Sequence, residues 1–575
     1  MLKLFRLLRP YQWPVAAILV LALVQSLANL YLPRQMADIV DQGIVKGDTR
    51  AILSTGAAML LVAIGGSLAA VAAGFLSARV ATGFGRVIRG RIFERVSHLS
   101  VHQFEHFSTA SLITRTTNDT TQVQQVVIML LAMVIPAPMM AIGGVVMALS
   151  HDATLAWVLI AVIPIVAIVF VVIMGRAVPL FQAMQVKLDK LNLVLDEALT
   201  GVRVIRAFDR GAHEHRRFAA ANLDVTQTAM EVNRIVAFLM PAMLLMMNVT
   251  SIAILWFGAG RIDAGTMQVG AVLASLQYAM QIMFAVFMVT AMFIMLPRAA
   301  ASATRINEVL DVVPDVGDPA VARRPGVRKG HVEFQNVTFR YPGAQEPALS
   351  GVTFAAAPGE ITAIIGGTGS GKSTLAGLIP RFYDPNEGRV LVDGVDVREM
   401  SHQDLRGRIG YVPQKAVLFS GSIVENIRYG REGASEDEVR RATQTAQAEE
   451  FITRMPEGLD TAIAQGGTNL SGGQKQRLSV ARALVRRPEI YVFDDTFSAL
   501  DFATDARLRA ALKQETQDAT VFIVSQRIGT VMHVDRIVVL DEGRVAGIGT
   551  HAELVKTNDV YREIVESQVS LEDVA

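Results

Sequence analysis

Cysteine is absent from all 575 residues. That excludes a disulfide framework and any thiolate metal site, and it allows a reducing cytoplasm for whatever part is soluble. Excess charge is missing too: 54 Lys and Arg stand against 53 Asp and Glu, a formal net charge of +1. Nucleic-acid binding usually needs a basic stripe, so it is not the main task. Within the long apolar runs charge is almost absent, which argues against a proton relay or an ion-specific pore.

What the chain has is hydrophobicity, unevenly spread. Up to about Pro297 it is dominated by long apolar runs, and the remainder has the mixed charge and Gly/Pro spacing of a soluble α/β domain. Six spans read as Val15 to Leu32, Ala51 to Phe75, Val126 to Leu149, Leu155 to Met174, Phe238 to Phe257 and Met267 to Met295. The first follows a short stretch, Leu2 to Tyr11, with Lys3, Arg6 and Arg9 at helical spacing, which suits an interfacial helix. It lacks a small-residue cleavage site and so reads as an uncleaved span instead of a signal peptide.

The stretches between spans two and three (Arg79, Arg86, Arg89, Arg91, Arg95, Arg115) and between four and five (Arg176, Lys187, Lys190, Arg203, Arg206, Arg210, Arg216, Arg217) are rich in basic residues. Both belong inside, and both are too long for simple turns, so the helices are expected to continue into the cytoplasm. Gln25, Asn29, Asn248, Gln277 and Gln281 lie within spans, where amides more often join helices than line a polar route. Methionines crowd the last two spans, as a re-packing surface or as plain apolar filler.

The fold class expected is multi-domain: an all-α six-helix transmembrane domain over residues 1–312, a linker over 313–329 with Pro314, Pro319 and Pro325, and a P-loop α/β nucleotide-binding domain over 330–575. The run Gly366, Gly367, Thr368, Gly369, Ser370, Gly371, Lys372, Ser373, Thr374 matches GxxxxGK[ST] without a gap, between an apolar strand, Ile361 to Ile365, and a helix starting near Leu375. Glycines let backbone N–H groups approach phosphates at a helix N-terminus; Lys372 reaches the β and γ phosphates and Ser373 offers a hydroxyl to Mg²⁺. A second apolar strand, Ile490 to Phe493, ends in the carboxylate Asp494, the arrangement that holds Mg²⁺ directly or through water. Leu470, Ser471, Gly472, Gly473, Gln474, followed by Lys475, Gln476 and Arg477, places a hydroxyl and two glycines at another helix N-terminus. One nucleotide does not need two cradles, so the second makes sense closing over ATP held by another subunit.

At this string the chain resembles ATP-binding cassette transporters, specifically exporter-type half-transporters, over nearly its whole length. The resemblance implies ATP and Mg²⁺, with Tyr341 stacking on adenine, Gln414 as the Q-loop residue and Ser498 to Asp501 as the D-loop. It also likens the regions around Phe104-Glu105 and Arg206-Ala207-Phe208 to coupling helices. Two positions depart from the family: Asp495 stands where the catalytic glutamate is usual, and Gln526 where the switch histidine is usual.

The departures point to the degenerate-site half of a heterodimer, in the plasma (inner) membrane with its nucleotide-binding domain cytoplasmic. Its partners would be a second half-transporter, the lipid bilayer and an amphipathic or lipid-like substrate. An ATP-gated channel and an exporter-fold importer remain open; a soluble DNA-repair ATPase is disfavoured by the six spans.

Overall fold

A computed structural model describes residues 1–326 and 329–572, leaving 327–328 of the expected linker and 573–575 outside the description. The chain divides into two compact units, Met1–Ser97 with Ser108–Val312, and His98–Phe107 with Val313–Ala575.

The first unit is helical. Among the described residues, 6 helical segments are long and apolar enough to cross a membrane, in agreement with the six spans read from the sequence. Helices Thr49–Ser97 and Ala153–Thr200 contain 49 and 48 residues. At 1.5 Å per residue each is about 70 Å long, more than twice the ~30 Å hydrocarbon layer. The third and fourth spans are joined at Asp152, the one extended residue between Pro136–His151 and Ala153–Thr200. Its carboxylate accepts from the N–H groups of Thr154 and Leu155 at 2.8 and 3.1 Å, which caps the following helix and makes so abrupt a reversal stable. The segment Leu2–Tyr11 is a turn of α-helix followed by 3₁₀-helix.

Polar groups in the spans join helices. The Tyr278 hydroxyl donates to the Leu30 carbonyl at 3.1 Å, and the Gln281 amide donates to the Asn29 carbonyl at 3.0 Å. The last helix of this unit, Val269–Leu310, receives its cap from another helix: Gly270 N–H donates to Asp41 Oδ1 at 2.8 Å. A Cβ on Gly270 would meet the Ala37 carbonyl and the Asp41 carboxylate, so only glycine permits the approach.

The second unit contains a 6-stranded sheet in the order Arg544–Gly549, Arg536–Asp541, Ile361–Gly366, Thr520–Val524, Ile490–Asp494, Ile409–Val412. All neighbours are parallel except the edge pair of Arg544–Gly549 with Arg536–Asp541. The inner strands are apolar and buried along their length, as a sheet covered on both faces requires. A second, antiparallel sheet is built on Val332–Phe339, flanked by Leu349–Ala356 and Glu387–Val392. Its inner side chains Val332, Phe334, Val337 and Phe339 close over Leu375, Leu378 and Ile379 of the helix after the phosphate loop. A helical region, including Ile423–Arg428, Glu436–Thr445 and Gly472–Val485, packs its own core of Ile423, Ile427, Val439, Leu478 and Leu484.

The short helix Val101–Phe107 belongs to this second unit. The Gln103 amide donates to the Val313 carbonyl at 2.8 Å. Burial, with Tyr341 and Glu105 close by, pushes the Tyr383 phenol up to about 12.

Candidate nucleotide site

The central strand Ile361–Gly366 delivers the loop at its C-terminal end, and helix Lys372–Leu378 begins where the loop closes. Ligands of open parallel sheets bind at these strand ends. Gly369 and Gly371 have φ of +83° and +93°, and a Cβ on Gly371 would press on the Ala348 carbonyl at 2.6 Å. The turn is therefore reserved for glycine. Lys372 is buried, and its Nζ donates to the carbonyls of Gly366 and Gly367 at 2.9 and 2.5 Å, with Ser370 Oγ at 3.3 Å. Burial holds this ammonium below the usual lysine range, although Asp495 and Asp494 pull the other way.

Two strands away, Asp494 closes the strand Ile490–Asp494 and accepts from Ser373 Oγ at 2.8 Å and from the Tyr411 hydroxyl at 3.3 Å. Burial pushes the Asp494 carboxyl above the ordinary range; both hydrogen bonds oppose that shift and the neighbouring Asp495 adds to it. A buried carboxylate beside a hydroxyl forms a set of hard oxygens that suits a small divalent cation. Tyr341 reaches the loop through its hydroxyl, 2.9 Å from Thr374 Oγ1, and its ring packs edge-on against Phe339 and Tyr383.

Asp495 leaves the sheet with φ +45°, its N–H on the Val524 carbonyl at 3.0 Å, so the neighbouring strand's exit, Ser525-Gln526, runs beside it. Its Oδ2 accepts from the Gln414 amide at 3.1 Å. Gln526 is exposed. Asp501 caps helix Phe502–Glu515 through the N–H of Thr504 at 2.9 Å, which ends the Ser498 to Asp501 stretch.

Ser471 to Gln474 stand apart from this cluster: no hydrogen bond links them to Gly366–Thr374 among the described residues. Ser471 and Gln474 form a capping box on helix Gly472–Val485, at 3.3 and 2.9 Å. Local chemistry thus explains the Ser and Gln. A Cβ on Gly473 would lie 3.1 Å from the Ala499 carbonyl, so packing accounts for that glycine, but the space around a Cβ on Gly472 is open.

Three residues at the site escape a motif-based reading. Tyr411 holds Asp494, and Arg527 donates to the Ser498 carbonyl at 3.0 Å. Gln476, 3% exposed, donates to the Gln414 carbonyl at 2.9 Å. Gln476 sits inside the string that drew attention to Ser471, so burying an amide within an amphipathic helix was the available signal; Tyr411 and Arg527 offered none.

A phosphate loop on a parallel sheet, a carboxylate two strands away, a second glycine cradle on a separate helix and six membrane-crossing helices together define a membrane ATPase of the cassette class. Residues 15–286 match the ABC transporter transmembrane region and residues 349–498 match the ABC transporter family. The chain is 44% identical, over 98% of its length and 97% of the relative's, to an uncharacterized ABC transporter ATP-binding protein of Mycobacterium tuberculosis. It is 33% identical to an ATP-dependent lipid A-core flippase of Thiobacillus denitrificans, covering 99% of this chain and 98% of that one. Its fold is similar to a bacterial Atm1-family ABC exporter solved with ATP bound, with a TM-score of 0.81 at 27% identity and 98% of each chain covered.

The chain belongs to the ABC transporter family. It is an exporter-type half-transporter, a multi-pass membrane protein whose cytoplasmic nucleotide-binding domain binds ATP and couples its hydrolysis to transport.

Proposed function

We propose that this chain is the half of a heterodimeric exporter that carries the slower of two ATP sites. One observation carries the reading: Asp495 and Gln526 lie side by side at the exits of neighbouring strands, at the positions where the family resemblance expects a catalytic glutamate and a switch histidine. Asp495 is a methylene shorter than glutamate, its backbone is left-handed, and its carboxylate is engaged by Gln414. A displacement of about 1 Å in a water-positioning group costs on the order of a hundredfold. Gln526 hydrogen-bonds to phosphate but exchanges no proton.

In this reading ATP lies in the cradle of Gly366 to Thr374, with Lys372 at the β and γ phosphates and Tyr341 against adenine. Ser373, Asp494 and Gln414 would hold Mg²⁺, which when bound neutralises phosphate charge. Ser471, Gly472, Gly473 and Gln474 complete the partner subunit's site, where the open face of Gly472 lets a phosphate approach the helix N-terminus. ATP binding closes the domains and turns the membrane cavity outward; hydrolysis at the partner's site resets it.

The substrate is amphipathic or lipid-like. Met140, Met240, Met243, Met247, Met280 and Met283 line a cavity of about 430 Å³ whose one amide is Gln281. Flexible thioethers re-pack around apolar groups of varied shape, and the similarity to a lipid A-core flippase supports the same class.

The test is ATPase activity and transport by the purified two-subunit complex in the plasma-membrane lipid of its host. Asp495→Asn changes turnover only slightly, whereas Ser471→Ala or Gly472→Asp lowers it by roughly 10² to 10³. Loss of hydrolysis in Asp495→Asn with mild signature variants sinks the reading, as does brisk Asp495-dependent turnover by the chain alone.

A further inference from the structure

The final helix, Asp559–Glu572, packs through Tyr561, Ile564 and Val565 against Ile528 and Val531, which belong to the short helix just beyond Gln526. One turn after Ile564 on the same face stands Gln568. Its amide makes two hydrogen bonds of opposite sense to one stretch of backbone. Nε2 donates to the Gln526 carbonyl at 2.7 Å, and Oε1 accepts from the Ile528 N–H at 2.8 Å. The amide therefore bridges residues 526 and 528 as a neighbouring strand would, and neither bond survives if the amide is reversed.

The clamped segment touches both functional neighbours. Arg527, between the two bonded residues, is held from behind by its N–H on Ser525 Oγ at 3.0 Å. Its guanidinium donates to the Ser498 carbonyl at 3.0 Å and lies 5.8 Å from the centre of the Phe502 ring. Ser498 in turn donates its hydroxyl to the Asp495 carbonyl at 2.8 Å. Gln568 is thus bonded directly to Gln526 and lies three hydrogen bonds from Asp495, while the helix that carries it is anchored by other, apolar side chains.

A purely structural role accounts for only half of this. Ile528 is buried at the start of a helix whose preceding residue offers no side-chain cap, so its N–H needs an acceptor. Gln526 is exposed, and water can serve its carbonyl. The donor half of the clamp is not required by burial; what it does is fix the direction in which residue 526 leaves the sheet.

We infer that Gln568 is a positioning residue for ATP turnover: through the backbone of Gln526 to Ile528 it aims the switch side chain and holds Arg527 on the Ser498 to Asp501 stretch. The final helix then sets the hydrolysis rate without contacting nucleotide. This rests on the ATP-site reading and not on the asymmetry between subunits, which Asp495→Asn tests separately.

The experiment compares Gln568→Glu with Gln568→Leu in the assembled transporter. Glutamate keeps an acceptor for Ile528 N–H but faces the Gln526 carbonyl with an oxygen; leucine removes both bonds. Displacements of this kind scale steeply with distance, and kcat at this chain's own site, read with the partner's site silenced, is expected to fall by roughly 10-fold to 100-fold in both variants. KM for ATP should stay unchanged in both, because Lys372 and Tyr341 are untouched; Tm should hold in Gln568→Glu, which keeps the Ile528 acceptor, and fall in Gln568→Leu, which leaves that N–H unpaired. Amide hydrogen exchange at Ile528 should quicken in Gln568→Leu and not in Gln568→Glu. Wild-type kcat in Gln568→Glu overturns the proposal, since it reduces Gln568 to a cap for Ile528. If Gln568→Leu fails to assemble, the Gln568→Glu rate alone decides.

Discussion

Gln414 and Gln476 are joined through the backbone of one and the side chain of the other: the buried Gln476 amide donates to the Gln414 carbonyl at 2.9 Å. The Gln414 side chain meanwhile donates to Asp495 Oδ2 at 3.1 Å. A single residue therefore connects the carboxylate after the catalytic strand to helix Gly472–Val485, which carries Ser471 at its N-terminus. The loop that carries Lys372 and the helix capped by Ser471 are separate elements, and Gln476 is a polar strut from that helix to Gln414.

Replacing Gln476 with leucine keeps the volume and removes the strut. Stability should change by less than about 1.5 kcal/mol, the usual cost of a volume-conserving exchange, because the Gln414 carbonyl is at an exposed residue and water can serve it. Turnover should drop while ATP binding at Lys372 is retained. Equilibrium nucleotide binding measured beside ATPase activity separates the two; equal losses in both would refute the strut.

Lys372→Ala should weaken ATP binding by about 1.5–3 kcal/mol, the scale of charge-assisted hydrogen bonds. The pH dependence follows from the sign of the shift. Burial lowers the Lys372 pKa, so burying the ammonium costs folding stability at neutral pH, and that cost fades as pH rises through the folded value. Phosphate binds the ammonium form, so affinity is full below the lowered pKa and falls above it, at a pH below that of an exposed lysine. Calorimetry in buffers of different ionisation enthalpy should show proton uptake on binding in that alkaline window.

Asp494 carries the opposite shift for the same reason. A buried carboxyl with a raised pKa is favoured in its protonated form, so its ionisation at neutral pH destabilises the nucleotide-free domain, and the penalty disappears as pH falls through the raised value. Asp494→Asn removes the charge while leaving an oxygen for Ser373. Its nucleotide-free Tm should rise by roughly 2–4 °C, the shift that about 1 kcal/mol gives in a domain of this size, while hydrolysis at this site is lost. A lower Tm at neutral pH would contradict the burial argument.

In the membrane unit, Asp119 is 2% exposed and is satisfied by Ser302 Oγ at 2.8 Å and by the Arg305 guanidinium. Asp119 is buried but the Arg305 side chain is 46% exposed, and Ser302 still donates to Asp119 when Arg305 is removed. Arg305→Met should cost about 1–3 kcal/mol, and the double variant Asp119→Leu with Arg305→Met should recover part of it. Thermal unfolding in detergent provides the comparison.

The membrane spans and the inner parallel strands were legible because their signals are local. A run such as Leu155 to Met174 has only one way to satisfy its backbone in hydrocarbon, and Ile490 to Asp494 is apolar on both faces as a central strand must be. Leu349–Ala356, Glu387–Val392 and Arg544–Gly549 were not anticipated. The last has the alternating half-exposed pattern of an edge strand with small residues, whose periodicity carries little information. Its antiparallel pairing with Arg536–Asp541 supplies what its own residues do not.

The contiguous strings Gly366 to Thr374 and Ser471 to Gln474, with Asp494 at a strand end and six apolar spans before them, determined without the structure that this chain is an ABC transporter. Backbone geometry at a phosphate requires those residue types in direct succession, so the chemistry is written in neighbours. Only the tertiary structure decided what positions them: Tyr411 on Asp494, Gln476 on Gln414, and Gln568 across Gln526 and Ile528. These pairs lie 83, 62 and 40–42 residues apart, and none makes use of a local period. Each is a hydrogen bond between groups that sheet order and helix packing bring within 3.3 Å, and until the chain is closed nothing distinguishes those side chains from any other polar residue.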